Sequence, residues 1–368
     1  MNLINHTPYA AGYTTSHSKE GRECLLVVVK ATYRLPLAGD PPAVAEQQIP
    51  IVYGDTATAE PGFSAPVYEC DLCLEKPMVD VLLLGSAHAP QGKPDGKVLV
   101  GLSVDDWKKT FVVTGPRYWK THLLSLELTE PEPFVQQSIS YDLAFGGTVL
   151  DKKTDKELVV FGANPIGRGF DPHARWSGGT LGPQTEEFKK PILHTRGPYV
   201  PMGFGPIGRH WQPRALFAGT YDEQWRLEQF PFLPSDFDAR YFQAAPADQQ
   251  IPQLVGGEQV RLMHLTPSVL TPSGVLDFVL PDLTLPIFLR GNKVGTEEVK
   301  ARVDTLLLEP DLQRFSVTWR VVRDMANDPY RYSSIDVGIK PKGLLVRIPL
   351  EVLAGELPSR QRDNGLRR

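Results

Sequence analysis

Two cysteines are the first residues whose spacing could support chemistry. Cys70 and Cys73 fit C-x-x-C, a spacing used by zinc sites and thiol–disulfide enzymes. Residues 67–74 have the pattern of an extended segment, and residues three apart on a strand point to opposite faces. The chain has three cysteines and no second pair of this kind, which argues against a disulfide framework. We predict two ordinary free thiols.

A glycine motif could bind phosphate. Residues 203–208 (GFGPIG) have the G-x-G-x-x-G spacing of dinucleotide-binding turns, which act between a strand and the N-terminus of a helix. Prolines stand before, inside and after the motif, at positions 198, 201, 206 and 213. Because proline disrupts a helix interior, no helix of useful length can begin there. We predict a tight turn.

Three further motifs that are typical of enzymes are absent from the sequence. It contains no H-E-x-x-H, no nucleophile elbow G-x-S-x-G and no glycine-rich loop ending in Gly-Lys-Ser/Thr. The histidines show no spacing typical of metal ligands. We therefore predict no catalytic residue, no cofactor and no metal site.

One acidic and aromatic region leaves an alternative open. Near Trp211, Tyr221 and Trp225 the sequence places five acids: Asp222, Glu223, Asp236, Asp238 and Asp248. Paired carboxylates beside aromatic rings are typical of carbohydrate-active sites. The same acids could instead cap turns or pair with nearby arginines. A carbohydrate-active enzyme or carbohydrate-binding module using residues 211–248 is the alternative function.

Composition favours a soluble, strand-rich protein. The 368 residues carry a formal net charge of −4 and no long cationic run, which argues against nucleic-acid binding. No stretch approaches the ~20 apolar residues that span a bilayer, and the N-terminus does not resemble a secretory signal, so we expect a cytoplasmic protein without membrane insertion. The 34 prolines exceed the roughly 18 of an average chain and favour short strands joined by turns over long helices.

Strand patterns are strongest near the two ends of the chain. Predicted strands cover residues 24–35, 79–85, 98–104, 107–114, 299–308 and 315–322, after a turn-rich lead-in. We expect a mainly β protein of antiparallel, sandwich-like sheets with a loop-rich central region and few short helices. Residues 1–135 form an N-terminal β-sandwich part, residues 136–354 the loop-rich centre and the strands that pack back on it, and residues 355–368 a flexible tail. The first two parts can form one integrated domain.

The stretch 140–170 is predicted to be a structural junction between the N-terminal strands and the centre. Its glycines and prolines turn the backbone tightly and hold large side chains at fixed angles. The junction residues are Tyr141, Phe145, Gly146, Gly147, Asn164, Arg168 and Phe170. We expect Arg168 to donate to carbonyls that the turns leave unpaired.

The centre also contains residue types that dominate protein-binding surfaces. Large aromatic rings and arginines concentrate binding energy because they offer much contact area and planar donors. The predicted partner-binding residues are Trp176, Trp211, Arg214, Tyr221 and Trp225. The irregular stretch 173–198 is a further place where we expect partner contacts.

Ordered segments of the sequence resemble a bacterial family first catalogued as a domain of unknown function and later linked to type VI secretion. They are residues 26–34 (LVVVKATYR), 76–85 (KPMVDVLLLG), 141–147 (YDLAFGG), 164–170 (NPIGRGF), 203–207 (GFGPI), 211–214 (WQPR), 218–222 (AGTYD), 233–238 (LPSDFD) and 244–250 (AAPADQQ). The resemblance covers roughly residues 1–290 in matching order.

The resemblance implies a non-enzymatic adaptor or chaperone. Members of the family are effector adaptors that bind a toxin effector in the cytoplasm and help load it onto the secretion spike. The implied partners are the effector and spike proteins of the valine-glycine-repeat and PAAR types. The resemblance supplies no catalytic set.

Overall fold

Strands form most of the regular structure. The computed structural model describes residues 1–36, 39–122, 125–150, 157–172, 179–291 and 294–340. In chain order its strands are β1 (Asn2–Asn5), β2 (Ala10–His17), β3 (Glu23–Arg34), β4 (Ala43–Val44), β5 (Val79–Leu83), β6 (Gly85–His88), β7 (Lys97–Val104), β8 (Trp107–Thr114), β9 (Trp119–His122), β10 (Ser125–Leu128), β11 (Gln136–Ile139), β12 (Phe145–Gly146), β13 (Thr148–Leu150), β14 (Glu157–Val160), β15 (Arg168–Gly169), β16 (Thr185–Glu187), β17 (Gln250–Ile251), β18 (Gln259–Met263), β19 (Val275–Val279), β20 (Pro286–Gly291), β21 (Gly295–Lys300), β22 (Arg302–Glu309), β23 (Arg314–Asp324) and β24 (Ser334–Val337). The helices in these residues are α1 (Gln212–Ala215), α2 (Glu223–Glu228) and short 3₁₀ turns at Pro90–Gly92, Tyr141–Leu143, Ala239–Phe242, Ala247–Gln249 and Pro310–Leu312. The predicted fold class, mainly β with few short helices, is confirmed.

The largest sheet has seven strands and contains the longest ones. Its order is β17–β5–β22–β23–β3–β2, and β4 pairs with the end of β3. β3 is antiparallel to both β23 and β2, whereas β5 and β22 run parallel to each other. The continuous Leu and Val run at residues 25–29 suits a central strand buried on both faces, as the sequence predicted.

Strands from the two ends of the chain share the sheets. The five-stranded sheet has the order β16–β8–β7–β18–β19, and the four-stranded sheet has the order β1–β24–β20–β21. β7 therefore lies beside β18, β1 beside β24, and β3 beside β23. The strands of the centre form small two-stranded pairs. The sheets do not separate residues 1–135 from the rest of the chain. In each of the three larger sheets, a strand from before residue 135 pairs with a strand from the last third of the chain.

One continuous core lies against the inner face of the largest sheet. Its side chains come from the seven-, five- and four-stranded sheets. The ring centroids of Phe315 in β23 and Phe278 in β19 are 5.4 Å apart, and the indole nitrogen of Trp319 donates to the Leu283 carbonyl at 2.8 Å. Each large apolar side chain buried in this way contributes about 1.5–3 kcal/mol. This core fixes the sheets relative to one another.

The outer face of the same sheet combines small apolar clusters with buried polar groups and is covered by loops. Asp80 of β5 is fully buried there, and Lys76 donates to its carboxylate at 2.7 Å. The Gln243 side chain donates at 2.6 Å, and the backbone N–H groups of Ala244 and Ala245 donate at 2.8 and 3.1 Å. Burial lowers the pKa of Lys76, but the adjacent carboxylates outweigh burial and raise it. Asp80 thus joins a strand near the N-terminus to the central loops.

Further ion pairs hold the loop before β5 on this outer face. Lys30 of β3 pairs with Asp71 of the loop, and Arg320 of β23 pairs with Asp304 of the neighbouring strand β22. Arg320 also donates to the Cys73 carbonyl at 2.7 Å. Cations on the strands therefore bind a carboxylate and a carbonyl of this loop, and Leu72 adds an apolar contact with the cluster of Leu26, Val28 and Ile51.

The structure differs from the sequence-based expectation in two places, before β3 and near residue 300. The expected turn-rich lead-in contains β1 and β2. The Ala, Gly, Thr and Ser residues of β2 give no apolar alternation, and the strand forms because its backbone pairs with β3 along its whole length. Val299 belongs to β21 rather than to the strand that ends near Leu308, because the chain passes from the four-stranded to the seven-stranded sheet at Ala301.

Replacement of Asp80 tests whether its charge holds the outer face together. Asp80→Asn keeps the side-chain shape but leaves the buried Lys76 ammonium without its nearest counter-charge. Loss of one partner of a buried pair costs about 3–5 kcal/mol, so the free energy of unfolding in urea should fall by about that amount. Glu298→Gln, at an exposed position of β21, is the control and should change it by less than about 0.5 kcal/mol. An equally small effect of Asp80→Asn would contradict the role assigned to the carboxylate.

Candidate partner-binding surface

The predicted junction residues come together in the structure. β12 pairs in parallel with β15, so that Phe145 lies opposite Arg168. Gly146 and Gly147 have φ values of 149° and 125°, which residues with a Cβ atom rarely adopt. A Cβ atom on Gly146 would lie 2.2 Å from the carbonyl oxygen of Asn164. This close approach of two backbone segments explains the paired glycines.

Asn164 holds the junction from the inside. Its side chain is fully buried, and its amide nitrogen donates to the carbonyls of Tyr141 at 2.9 Å and Phe145 at 3.1 Å. We expected Arg168 in this role, but its half-buried guanidinium makes no hydrogen bond within the described residues. Its backbone N–H donates to the Ala144 carbonyl at 2.8 Å. The described contacts therefore assign the role to the short amide of Asn164.

The aromatic residues of the junction form a second core. Between ring centroids, Phe145 lies 5.2 Å from Phe161 and 5.0 Å from Tyr199, and Phe161 lies 5.1 Å from Phe170. The fully buried Trp119 belongs to the same cluster. Because these rings contact one another, their main role is packing of the loop-rich centre.

Trp211 and Arg214 lie in the interior, which corrects their predicted place on a partner-binding surface. Trp211 is fully buried and meets a buried tyrosine ring edge-on at 5.5 Å. Arg214 is 2% exposed and donates to the carbonyls of Ile207 and Tyr241, each at 2.8 Å. It also forms an ion pair with Glu69. Both side chains hold central loops together, and neither presents a surface to a partner in this conformation.

Part of the predicted contact region lies outside the described residues. Trp176 is among residues 173–178, which the structure does not describe. In the described remainder of the 173–198 stretch, β16 pairs with β8. Phe188 and Leu193 are exposed there. Partner contact by this stretch stays a prediction.

Tyr221 and Trp225 belong to a group of aromatic residues at the surface, which we call the aromatic ridge and which consists of Tyr221, Trp225, Phe230 and Phe232. The Trp225 ring centroid lies 4.7 Å from Tyr221 and 5.7 Å from Phe230. Its indole nitrogen donates to the Phe232 carbonyl at 2.9 Å. Tyr221 is 53% exposed and Phe230 is 66% exposed. The ridge therefore presents large apolar area to solvent although its members contact one another.

Local sequence explains why α2 forms and supports the ridge. The Asp222 carboxylate accepts from the Trp225 N–H at 2.8 Å and so caps the first turn. Glu223 pairs with Arg226 one turn later, and the hydrogen bonds from Arg226 hold the pKa of Glu223 below its ordinary value. The helix places Leu227 on the surface, where it is 70% exposed. The helix therefore forms through its own polar contacts and leaves its apolar residues free.

A groove borders the ridge, and we call it the docking groove. It has a volume of about 610 Å³ and is lined by residues 16–18, 72–74 and 231–233, with Phe242. His17, at the end of β2, lies 5.4 Å from the Phe232 ring centroid. Phe232 thus belongs to both the ridge and the groove wall. The two features are therefore continuous at Phe232.

The acids near the ridge each have a partner in the fold. The pairs are Asp222 with the Trp225 N–H, Glu223 with Arg226, Asp236 with Thr220, Asp238 with Arg240, and Asp248 with Lys109. Hydrogen bonds from these partners hold the pKa values of Glu223, Asp236 and Asp238 below the ordinary range. A glycosidase also needs a carboxyl whose pKa is raised so that it can donate a proton. None of these three carboxyls meets that requirement.

The other sequence motifs form no recognisable site. Within the described residues, no group of three His, Cys, Asp or Glu side chains is placed to hold a metal ion. The thiols of Cys70 and Cys73 are free, and burial raises the pKa of Cys73. Residues 67–74 lie in a loop rather than in the extended strand we expected, because the outer-face ion pairs hold them. No helix in the described ranges is long and apolar enough to cross a membrane.

Substitution of Asn164 tests which residue holds the junction. Asn164→Ala removes the donor of two backbone carbonyls, and each buried group left unpaired costs about 1–3 kcal/mol. We expect the free energy of unfolding in urea to fall by at least about 2 kcal/mol. Arg168→Ala is the comparison and should lower it by about 0.5 kcal/mol or less. The opposite order of the two losses would contradict the assignment.

Comparison with known proteins gives one match. No curated protein and no solved structure matches the chain. Residues 20–320 match the family described as "Uncharacterized protein conserved in bacteria (DUF2169)". This span runs from the loop before β3 into β23 and includes the junction and the aromatic ridge. The chain therefore belongs to the bacterial DUF2169 family.

Proposed function

We propose that this protein is a non-enzymatic adaptor that binds a toxin effector of a type VI secretion system in the cytoplasm and helps load it onto the spike. The observation that carries the proposal is the aromatic ridge. Contiguous exposed apolar surface on a soluble protein is typical of a binding site for another protein. Aromatic side chains of this kind supply most of the energy at such sites.

The ridge differs from the other exposed apolar residues. Tyr330 is 88% exposed, but within the described residues its ring contacts no other aromatic ring. Val269 is 86% exposed and carries no ring. Single exposed apolar residues are ordinary. Three exposed or half-exposed rings in contact, with Phe232 joined to them by a hydrogen bond and bordering a groove of about 610 Å³, are not ordinary, and they support a protein partner.

The kind of partner comes from the resemblance of the ordered segments to type VI effector adaptors. Those segments include residues 218–222, which contain Tyr221 of the ridge, and residues 233–238, which directly follow Phe232. In the proposed role, the ridge contacts the effector, and another surface contacts the spike proteins of the valine-glycine-repeat and PAAR types.

The alternative, a carbohydrate-active function, has no specific observation in its favour. Its acids pair with arginines, a lysine, a threonine or a helix N-terminus. Arrays of glycans and hydrolysis assays should therefore give no signal above that of an unrelated protein.

Co-expression with the toxin effector encoded beside this gene tests the proposal. The two proteins should elute together in size-exclusion chromatography, and deletion of this gene should abolish secretion of the effector. Replacement of Tyr221 or of Phe230 by serine should in each case weaken the complex by about 30-fold or more, since a residue that dominates an interface contributes about 2 kcal/mol or more. Tyr330→Ser is the control, because Tyr330 is also aromatic and is even more exposed but lies outside the ridge. Independent elution of the two wild-type proteins, together with unchanged secretion, would sink the proposal.

A further inference from the structure

The outer edge of β2 is open as far as the described residues are concerned. β2 pairs with β3 through all eight of its residues and with no other described strand. Along an antiparallel strand the backbone groups alternate in direction, so about half of the N–H and C=O groups of β2 point away from β3. No other segment of the described residues forms a backbone hydrogen bond with them. β2 is also the longest edge strand in the described sheets.

β2 lacks the features that usually protect an edge strand. Natural proteins place charges, proline or a bulge at an edge, or keep the edge strand short. β21 and β19 carry such charges: Glu297, Glu298, Lys300 and Asp277. β16 and β17 have only three and two residues. The sequence of β2 is AAGYTTSH, without acid, lysine, arginine or proline, and its pairing with β3 has no bulge.

The docking groove continues from the end of β2 and carries no permanently charged side chain. Ser16 and His17 line it together with Phe232 and Phe242, and no acid, lysine or arginine contributes to its walls. A charged side chain would lose its hydration there and find no opposite charge in these walls. The charge of the site therefore matches an extended segment that carries uncharged, apolar side chains.

We infer that β2 accepts a strand from the partner protein, which extends the seven-stranded sheet by one strand. The backbone of the added strand pairs with the open edge, and its apolar side chains enter the docking groove beside Phe232. In this mode of recognition, main-chain hydrogen bonds give affinity and alternate side chains give specificity. The inference rests on the proposed function, because the partner that supplies the strand is the toxin effector.

Hydrogen exchange of the full chain, alone and bound to the co-expressed effector, tests the inference. In the free protein, the outward amides of β2 should exchange at least about a hundredfold faster than the amides bonded to β3, since no backbone acceptor protects them. In the complex, the outward amides should slow by at least about tenfold. Amides of β21, a charged edge strand, are the control and should not change.

Two proline variants separate binding from folding. Thr14 and Thr15 are neighbours in β2, so one of their N–H groups points outwards and the other points to β3. Proline is tolerated on an edge strand only where the N–H faces solvent. The variant that lacks the outward N–H should fold normally and bind the effector about tenfold more weakly. The other variant should lose stability. Hydrogen exchange in the free wild-type protein identifies the outward N–H, because it is the one of the two that exchanges faster.

Each other outcome counts against the inference. A complex that forms without added protection in β2 overturns it and leaves the proposed function standing. Absence of any complex overturns both. Outward amides that are already protected in the free protein also overturn it. In that last case, the molar mass from light scattering identifies what protects the edge. The mass of a dimer indicates a second copy of the chain, and the mass of a monomer indicates residues 341–368 of the same chain.

Discussion

Asp80 is fully buried in β5, where an ionised carboxylate requires opposite charge and hydrogen-bond donors around it. Its donors are Lys76 and residues 243–245, which follow the segment that carries the aromatic ridge. Arg214 stands at the beginning of that segment and binds Glu69 and the Tyr241 carbonyl. Buried polar contacts therefore hold the end of the segment against the outer face of the largest sheet and its beginning against the loop before β5.

This arrangement lets apolar surface remain exposed in a stable fold. The inner core and the outer-face ion pairs provide the stability, so the rings of the ridge need not be buried. A surface that is already formed before binding lowers the cost of ordering on association. Phe232 joins the ridge to the docking groove, and the groove begins where β2 ends. Side-chain contact at the ridge and backbone pairing at β2 can therefore serve one partner on one side of the molecule.

The long strands, α2 and the junction could be predicted because their signals are local. Residues 25–29 form a continuous apolar run, Asp222 caps a helix, and Gly146 marks a close backbone approach. β2 could not be predicted, since its pairing partner rather than its own residues makes it a strand. The interior places of Trp211 and Arg214 depend on contacts distant in sequence, such as Glu69. Asp80 within the apolar run VDVLL is a local signal for a buried polar site, but the sequence-based prediction did not include such a site.

Hydroxyl-radical footprinting of the complex with the effector tests the central claim most directly, because it reports the solvent exposure of individual side chains. The central claim is that the side of the molecule carrying the ridge and the docking groove binds the effector. The side chains of Tyr221, Phe230 and Phe232 should lose most of their reactivity in the complex, whereas Tyr330 keeps its own. Unchanged reactivity of the ridge in a complex that forms, with protection elsewhere on the protein, would contradict the claim.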